Sequence, residues 1–271
     1  MIPAPIPRDS PHTALLDAVL GVAQDTAALL RDRPDTGTPI PGAEWTVGEA
    51  AAHLALVNEL MAALAAGEER PYGDGTPSGL AAANAVELAA FPQRDGTVLG
   101  EEIVRHARAF TEAFAHRPAS DPMLTPLGPM DLATLGSYLL THMLGHGYDI
   151  SVALRARHMI DRHRVGLTMP FLTTAMPRVV DDRSAAGHTA RYELRLRGGE
   201  RFTVTFRDGA AEVTPGPALR PDCTILTDPV AFLLMALGRC GPWSALARGK
   251  VLAWGRRPWL SAGFPLLFRA P

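Results

Sequence analysis

The stretch THMLGHGYDI, residues 141–150, places His142 and His146 four positions apart among apolar residues. An α-helix turns about 100° per residue, so positions i and i+4 lie on one face, roughly 6 Å apart along the axis. Leu139 and Ile150 fall on the same face. The pattern therefore predicts that both imidazoles point towards the interior of a helical protein.

A third histidine, His53, has the same inward position in an earlier predicted helix, WTVGEAAAHLALVNELMAALAAG, where it falls in line with Ala50, Val57 and Leu60. Three inward imidazoles are costly unless their nitrogens are satisfied. A divalent metal satisfies them, because neutral imidazole is a good ligand for zinc and related ions. Three protein ligands would leave one position open for a substrate, as in catalytic zinc sites. Core histidines with ordinary hydrogen-bond partners are the alternative.

Two common catalytic motifs do not match the sequence. The metalloprotease motif HExxH requires glutamate directly after the first histidine, and Met143 stands there. A phosphate-binding loop requires Ser or Thr after Gly-Lys, and Val251 follows Lys250. A metalloprotease and a P-loop nucleotide hydrolase are therefore both disfavoured.

Four other residues are candidates for supporting roles. Asp149, three positions after His146, could orient that imidazole or make a structural contact near the helix end. Asn84 and Arg94 lie on or after a short helical segment and could bind a cofactor at the mouth of the bundle. Arg155 opens a basic run near the end of a long helix and could bind an anionic cofactor, although the helix dipole also favours basic residues there.

The chain divides into an all-helical half and a smaller α+β half. Residues 1–164 contain five helical segments, and Thr46 and Glu49 predict a capping box at the start of the second, with Trp45 as its hydrophobic staple. From residue 165 onwards, alternating polar and apolar residues surround Gly-Gly and Asp-Gly turns, which is typical of β-hairpins. We therefore expect a domain boundary near residues 164 and 165, and a predicted long helix from about Asp131 to Met159 just before it.

Composition restricts the partners and the location. The 271-residue chain has a net charge of −2, which disfavours a nucleic-acid partner, and 47% hydrophobic residues, which allow sizeable cores. Cys223 and Cys240 show no CxxC spacing, so a disulfide scaffold and a cysteine zinc site are disfavoured. The first twelve residues lack an apolar stretch of signal-peptide length, and no window of spanning length is free of charges and helix breakers. We expect a cytoplasmic protein with no membrane partner.

The motifs WTVGEAAAHL and HMLGHGYDI together resemble the DinB-like, mycothiol-dependent maleylpyruvate isomerase superfamily. The resemblance implies a four-helix bundle that binds a divalent metal, usually zinc, through one histidine on the second helix and a pair on a later helix. The family's first ligand falls on His53, and its last falls on His146, which is followed by the matching Gly-aromatic-Asp signature. At the middle position the isomerase branch carries glutamate, whereas this chain has His142. Three histidines are more similar to the thiol S-transferase branch of the DinB-like proteins.

A second resemblance covers the C-terminal half. DCTILTDPVAFLLMALGR and ARGKVLAWG are similar to the sterol-carrier-protein-2-like (SCP2-like) domain in their order of strand, Asp-Pro, apolar helix, Gly-Lys and strand. The two resemblances predict a fold of α plus α+β class. A DinB-like four-helix bundle would cover residues 1–164, and a small α+β SCP2-like domain would cover residues 165–271.

The resemblance also implies mycothiol, the low-molecular-weight thiol of actinobacteria, as cosubstrate. A metal-bound thiol is readily deprotonated, and its thiolate would attack an electrophilic small molecule. The histidines favour a metal-dependent mycothiol S-transferase, with His53, His142, His146 and Asp149 as the catalytic set. A mycothiol-dependent cis–trans isomerase of the maleylpyruvate type and a non-enzymatic carrier of a hydrophobic ligand stay open. The sequence predicts neither the electrophile nor an oligomeric state.

Overall fold

A computed structural model describes residues 11–31, 33, 36–73 and 77–269. The chain divides into two compact units, the first ending at Ile160 and the second beginning at Asp161. The boundary expected at residues 164 and 165 falls inside the first helix of the second unit.

The described part of the first unit contains five helices. They are α1 (Pro11–Leu30), α2 (Val47–Ala65), α3 (Pro77–Ala90), α4 (Gly96–Ala115) and α5 (Leu132–Ala153). Helices α1, α2, α4 and α5 pack on one another, whereas α3 packs mainly against α2. Apolar side chains from all four packed helices form the buried core, so the predicted four-helix bundle is confirmed.

A capping box fixes the start of α2, as the sequence predicts. The Glu49 carboxylate accepts a hydrogen bond from the Thr46 N–H at 2.7 Å, and Thr46 Oγ1 accepts one from the Glu49 N–H at 3.3 Å. These bonds satisfy donors that a helix start leaves open, and they hold the pKa of Glu49 below its usual value. The fixed start sets the register in which His53 faces the core.

A short hairpin that the sequence does not predict leads from α4 to α5. Strands β1 (Pro122–Thr125) and β2 (Gly128–Asp131) pair antiparallel, where the many prolines and glycines indicate only a loop. Gly128, at φ 93°, adopts a backbone conformation that suits glycine at the turn. Asp131 then caps α5, because its carboxylate accepts a hydrogen bond from the Thr134 N–H at 2.7 Å.

Helix α5 ends earlier than the predicted Met159. Its end is a Schellman motif, in which the Ala156 N–H donates to the Ser151 carbonyl at 2.8 Å and the Arg155 N–H donates to the Val152 carbonyl at 3.1 Å. Arg155 is exposed, and its backbone adopts the left-handed conformation, with φ 53°. The sequence does not predict this helix end, because an arginine occupies the position that glycine usually takes.

The second unit is an α+β domain. Its helical elements are α6 (Arg162–Ala175), α7 (Pro229–Ala236), α8 (Pro242–Ala247) and α9 (Leu260–Gly263), with 3₁₀ turns at Met176–Val179 and Phe264–Leu267. Its strands are β3 (Ala190–Leu196), β4 (Arg201–Arg207), β5 (Ala210–Pro215), β6 (Cys223–Thr227) and β7 (Val251–Trp254). The strand segments predicted from the sequence are confirmed, whereas α6 is absent from the prediction.

The five strands form one sheet in the order β5-β4-β3-β6-β7. The central pair, β3 and β6, is parallel, and the other neighbours are antiparallel. Tyr192, Leu194 and Cys223 lie on one face of the central pair and are buried. This arrangement confirms the predicted class, α plus α+β.

Two helices of the described chain have the length and mean hydropathy of a membrane span, at His12–Leu30 and Val47–Ala65. In the second, 83% of the span is buried inside the fold, and in the first 39% is buried. A core helix of a globular protein meets the same two criteria, so these helices are weak evidence for a membrane span.

We expect Arg155→Gly to raise the free energy of unfolding of the first unit by about 0.5–1 kcal/mol. Glycine adopts the left-handed conformation without the steric cost of a Cβ atom. Urea titration of the full chain measures the change. Arg157→Gly is the matched control, because Arg157 is also exposed but has no positive φ. Equal effects of the two substitutions would contradict this explanation of the helix end.

Candidate metal centre

The three predicted histidines meet in the bundle. Helix α2 supplies His53, and α5 supplies His142 and His146. Nε2 of His53 lies 3.0 Å from Nε2 of His142, and one nitrogen from each of the three rings lies within 4.8 Å of the other two. No other group of His, Cys, Asp and Glu in the described residues has this spacing.

This donor set fits a divalent metal ion. Two nitrogens bound to one tetrahedral zinc lie roughly 3.3 Å apart, so the 3.0 Å separation between His53 and His142 is of the size that a shared ion requires. Metal ligation needs neutral imidazole. Burial, with a smaller contribution from the nearby His146, lowers the pKa of His53 to about 3. His53 is therefore neutral and able to ligate throughout the physiological pH range.

Asp149 is placed to orient one of these rings. Its Oδ2 lies 3.5 Å from Nδ1 of His146. A proton on Nδ1 faces the carboxylate and leaves Nε2 as the electron-pair donor, which is the tautomer that ligation by Nε2 needs.

Trp45 is a site residue that sequence reasoning missed. Its ring centroid lies 4.9 Å from that of His53 and 5.7 Å from that of His146, and it stacks on the latter with an interplanar angle of 27°. The sequence indicates only a staple for the helix start. Its place one residue before the Thr46 cap, and eight before His53, is the signal that could have indicated a position beside the cluster.

Gly147 allows close packing next to the site. A Cβ atom at this position would lie 2.9 Å from Sδ of Met159 and 3.3 Å from Oγ1 of Thr26 on α1. The following residue, Tyr148, packs its ring against His158, with centroids 5.5 Å apart. The Gly-Tyr-Asp signature after His146 thus combines two packing residues with the carboxylate of Asp149.

Asn84 and Arg94 make contacts around α3. The Tyr72 hydroxyl donates to Oδ1 of Asn84 at 2.7 Å. The Arg94 guanidinium donates to the carbonyls of Phe91 at 2.6 Å and Leu88 at 3.3 Å, which closes the end of α3. These bonds give both side chains a structural task, and cofactor binding by either stays a prediction.

The structure places Arg155 in the exposed turn after α5. Nine residues of helical rise separate it from His146, which corresponds to roughly 13 Å along the axis. The structure therefore does not bring Arg155 into the histidine cluster, and its role as a cofactor-binding residue stays a prediction.

The fold and the cluster define a four-helix bundle with a candidate three-histidine centre, followed by an α+β domain. A family model described as the mycothiol maleylpyruvate isomerase N-terminal domain matches residues 16–151, which are half of the chain. The chain belongs to this family. A model of the SCP-2 sterol transfer family matches residues 175–255. Both family resemblances are confirmed.

One of the similar solved structures has a TM-score above 0.5 and supports the fold. A histidine-to-alanine variant of the mycothiol-dependent maleylpyruvate isomerase is similar over 91% of this chain and 94% of its own, with 15% identity and a TM-score of 0.53. Another crystal structure of that isomerase has 15% identity over the same shares and a TM-score of 0.49. A stereoselective inverting sec-alkylsulfatase from Pseudomonas sp. is similar over 52% of this chain, with 14% identity and a TM-score of 0.33, and this chain spans 25% of its length. No curated protein matches the chain.

We expect the purified protein to hold close to one divalent metal ion per chain and His142→Ala to lose it, because two remaining imidazoles hold the ion less tightly than three. Elemental analysis after dialysis measures the content. His106→Ala is the matched control, since His106 lies on α4 outside the cluster. Equal metal content in wild type and His142→Ala would remove His142 from the site.

We also expect the metal-free protein to lose stability as the pH falls from about 6.5 towards 3. The pKa of His53 is about 3 in the folded chain against an ordinary 6.5, so the unfolded chain takes up the proton first. The contribution of neutral His53 to the free energy of unfolding is fully present above pH 6.5 and is lost as the pH falls from 6.5 to about 3. Unfolding titrations of chelated protein measure it. His53→Gln should flatten the pH dependence, and an unchanged slope would show that burial of this imidazole is not its cause.

Proposed function

We propose that this chain is a metal-dependent enzyme that transfers a low-molecular-weight thiol to an electrophilic small molecule. The cluster of His53, His142 and His146 carries the proposal, because three converging imidazoles offer a divalent ion a ligand set with room for one more ligand. The family relationship supports mycothiol as the thiol. We place the enzyme in the cytoplasm and expect an actinobacterial source, where mycothiol is available.

His53, His142 and His146 would hold the ion, with zinc as the first candidate. When bound, a divalent ion supplies positive charge that stabilises a thiolate at neutral pH. The chain keeps that charge undiminished, because His142 stands where the isomerase branch has a glutamate. Asp149 holds the proton of His146 on Nδ1, and Trp45 restricts the rings of His53 and His146 by packing on them.

The reacting thiol should come from a small molecule. Cys223 is buried on β6, and burial raises the pKa of its thiol to about 11. Cys240 belongs, like Cys223, to the second unit. A protein thiol that stays protonated is a poor nucleophile, which supports an external thiol.

Transfer and isomerisation begin with the same bond. In transfer, the thiolate sulfur bonds to an electrophilic carbon, a leaving group departs or a neighbouring carbon takes up a proton, and the product is a thioether. In isomerisation, sulfur adds to one carbon of a double bond, the resulting single bond rotates, and sulfur leaves as the recovered thiol. His142 favours transfer, whereas the family model favours isomerisation of the maleylpyruvate type as the second candidate.

A carrier of a hydrophobic ligand is the third candidate. The match of residues 175–255 to the SCP-2 sterol transfer family supports it. A carrier does not require three converging imidazoles in the bundle, and for this reason we rank it below the two enzymes.

We expect turnover of candidate electrophiles to require an added thiol, with mycothiol more effective than simple thiols, because binding of its remote groups positions the sulfur. His53→Ala should lower kcat/KM by at least about 100-fold if the bound ion stabilises the thiolate. Product masses distinguish a thioether from an isomerised substrate. Cys223→Ala and Cys240→Ala serve as controls and should retain turnover. Turnover without thiol, or turnover unaffected by thorough metal removal, would refute the proposed mechanism.

A further inference from the structure

The two units carry opposite charge. Residues 1–160 contain 10 basic and 19 acidic residues, whereas residues 161–271 contain 16 basic and 9 acidic residues. The asymmetry is strongest at the end of the chain, where residues 229–271 contain six basic residues and no acidic residue. The net charge of −2 for the whole chain averages these regions and conceals a basic second unit.

The same region exposes tryptophan. Trp243 is 70% exposed, Trp254 is 42% exposed and Trp259 is 67% exposed. These three residues are all the tryptophans of the second unit. Tryptophan is highly buried on average, so three exposed indoles within seventeen residues indicate a surface that is covered by something else.

Part of this exposed surface lies on an edge strand of the sheet. Strand β7 is the edge strand, and Leu252 and Trp254 are two residues apart on it, so they point to the same face. Leu252 is 49% exposed. Trp243 lies on α8, which packs against β7, and Trp259 follows β7 closely in the chain.

Cations accompany the indoles at this edge. The Arg195 guanidinium lies 5.4 Å from the centre of the Trp254 ring. Arg248 and Lys250, in the turn between α8 and β7, are exposed. Lys250 pairs with Asp228 at 3.3 Å and Arg195 pairs with Glu193 at 2.8 Å, so Arg248 contributes most of the net positive charge at this edge.

We propose that the surface formed by Trp243, Leu252, Trp254 and Trp259, here called the β7 surface, docks the protein peripherally on membranes that contain anionic lipids. Indole rings prefer the boundary between headgroups and acyl chains. Cations beside them are attracted to the negative surface potential of such a membrane, by about a factor of five in affinity per charge. The expectation of no membrane partner rested on the lack of a spanning segment, and peripheral docking requires none.

Sedimentation of the full chain with lipid vesicles tests the proposal. We expect binding to vesicles of phosphatidylcholine mixed with phosphatidylglycerol, weaker binding to phosphatidylcholine alone, and loss of binding as salt rises from about 0.1 M to 1 M. Arg248→Glu should weaken binding about fivefold or more, and Trp243→Ala and Trp259→Ala should each weaken it measurably. Melting curves confirm that the variants fold, and the wild-type dependence on lipid and salt tests the proposal without them.

Two substitutions elsewhere in the second unit are matched controls. Leu219 is 77% exposed outside the β7 surface, and Arg207 is exposed at the end of β4. Leu219→Ala and Arg207→Glu should bind vesicles as wild type does. The proposal is overturned if wild type does not bind anionic vesicles or if the controls lose as much binding as the variants. A dimer that dissociates on Trp243→Ala or Trp259→Ala, without vesicle binding, would identify a second copy of the chain as the occupant instead.

Discussion

The cost of burying imidazole in an apolar bundle is the constraint on which the first unit depends. Desolvation keeps His53 uncharged, and its Nε2 lies 3.0 Å from Nε2 of His142. Buried ring nitrogens that face one another at this distance need a proton or a cation between them, because an unsatisfied buried polar atom is costly. A hydrogen bond between two of the rings satisfies one nitrogen of each, whereas a cation between the rings satisfies one nitrogen of all three histidines. The capping box, the Trp45 stack and the Asp149 carboxylate all hold the rings in the orientation that makes the second solution available.

Much of this centre could be predicted from the sequence because helical periodicity is regular. The spacing of His142 and His146 fixes their common face, and the apolar neighbours of His53 fix its direction. Trp45 could not be assigned in the same way, because it precedes the helix and its direction depends on the loop. The charge of Arg155 predicts an anion-binding position, but a basic residue gives no signal of the left-handed backbone conformation that Arg155 adopts after α5.

In the second unit, the local sequence pattern predicts the strands but not the order in which they pair. Alternation of polar and apolar residues predicts β3, β4 and β5, because two tight turns join them. The parallel pairing of β3 with β6 joins strands that are distant in the chain, so no local pattern indicates it. Helix α6 is not predicted for another reason: Pro170 lies inside it, where proline usually argues against a helix, and its apolar residues do not form a clear stripe. Net charge misleads in a similar way, because one sum over 271 residues hides two units of opposite sign.

Trp45 gives the bundle an optical property. The other three tryptophans belong to the second unit, so Trp45 is the single indole of the first. It lies within 6 Å of two of the three imidazoles, close enough for a paramagnetic ion such as Co²⁺ or Ni²⁺ among them to quench its emission. In a chain whose three other indoles are replaced by phenylalanine, intrinsic fluorescence becomes a direct gauge of what occupies the space between the histidines.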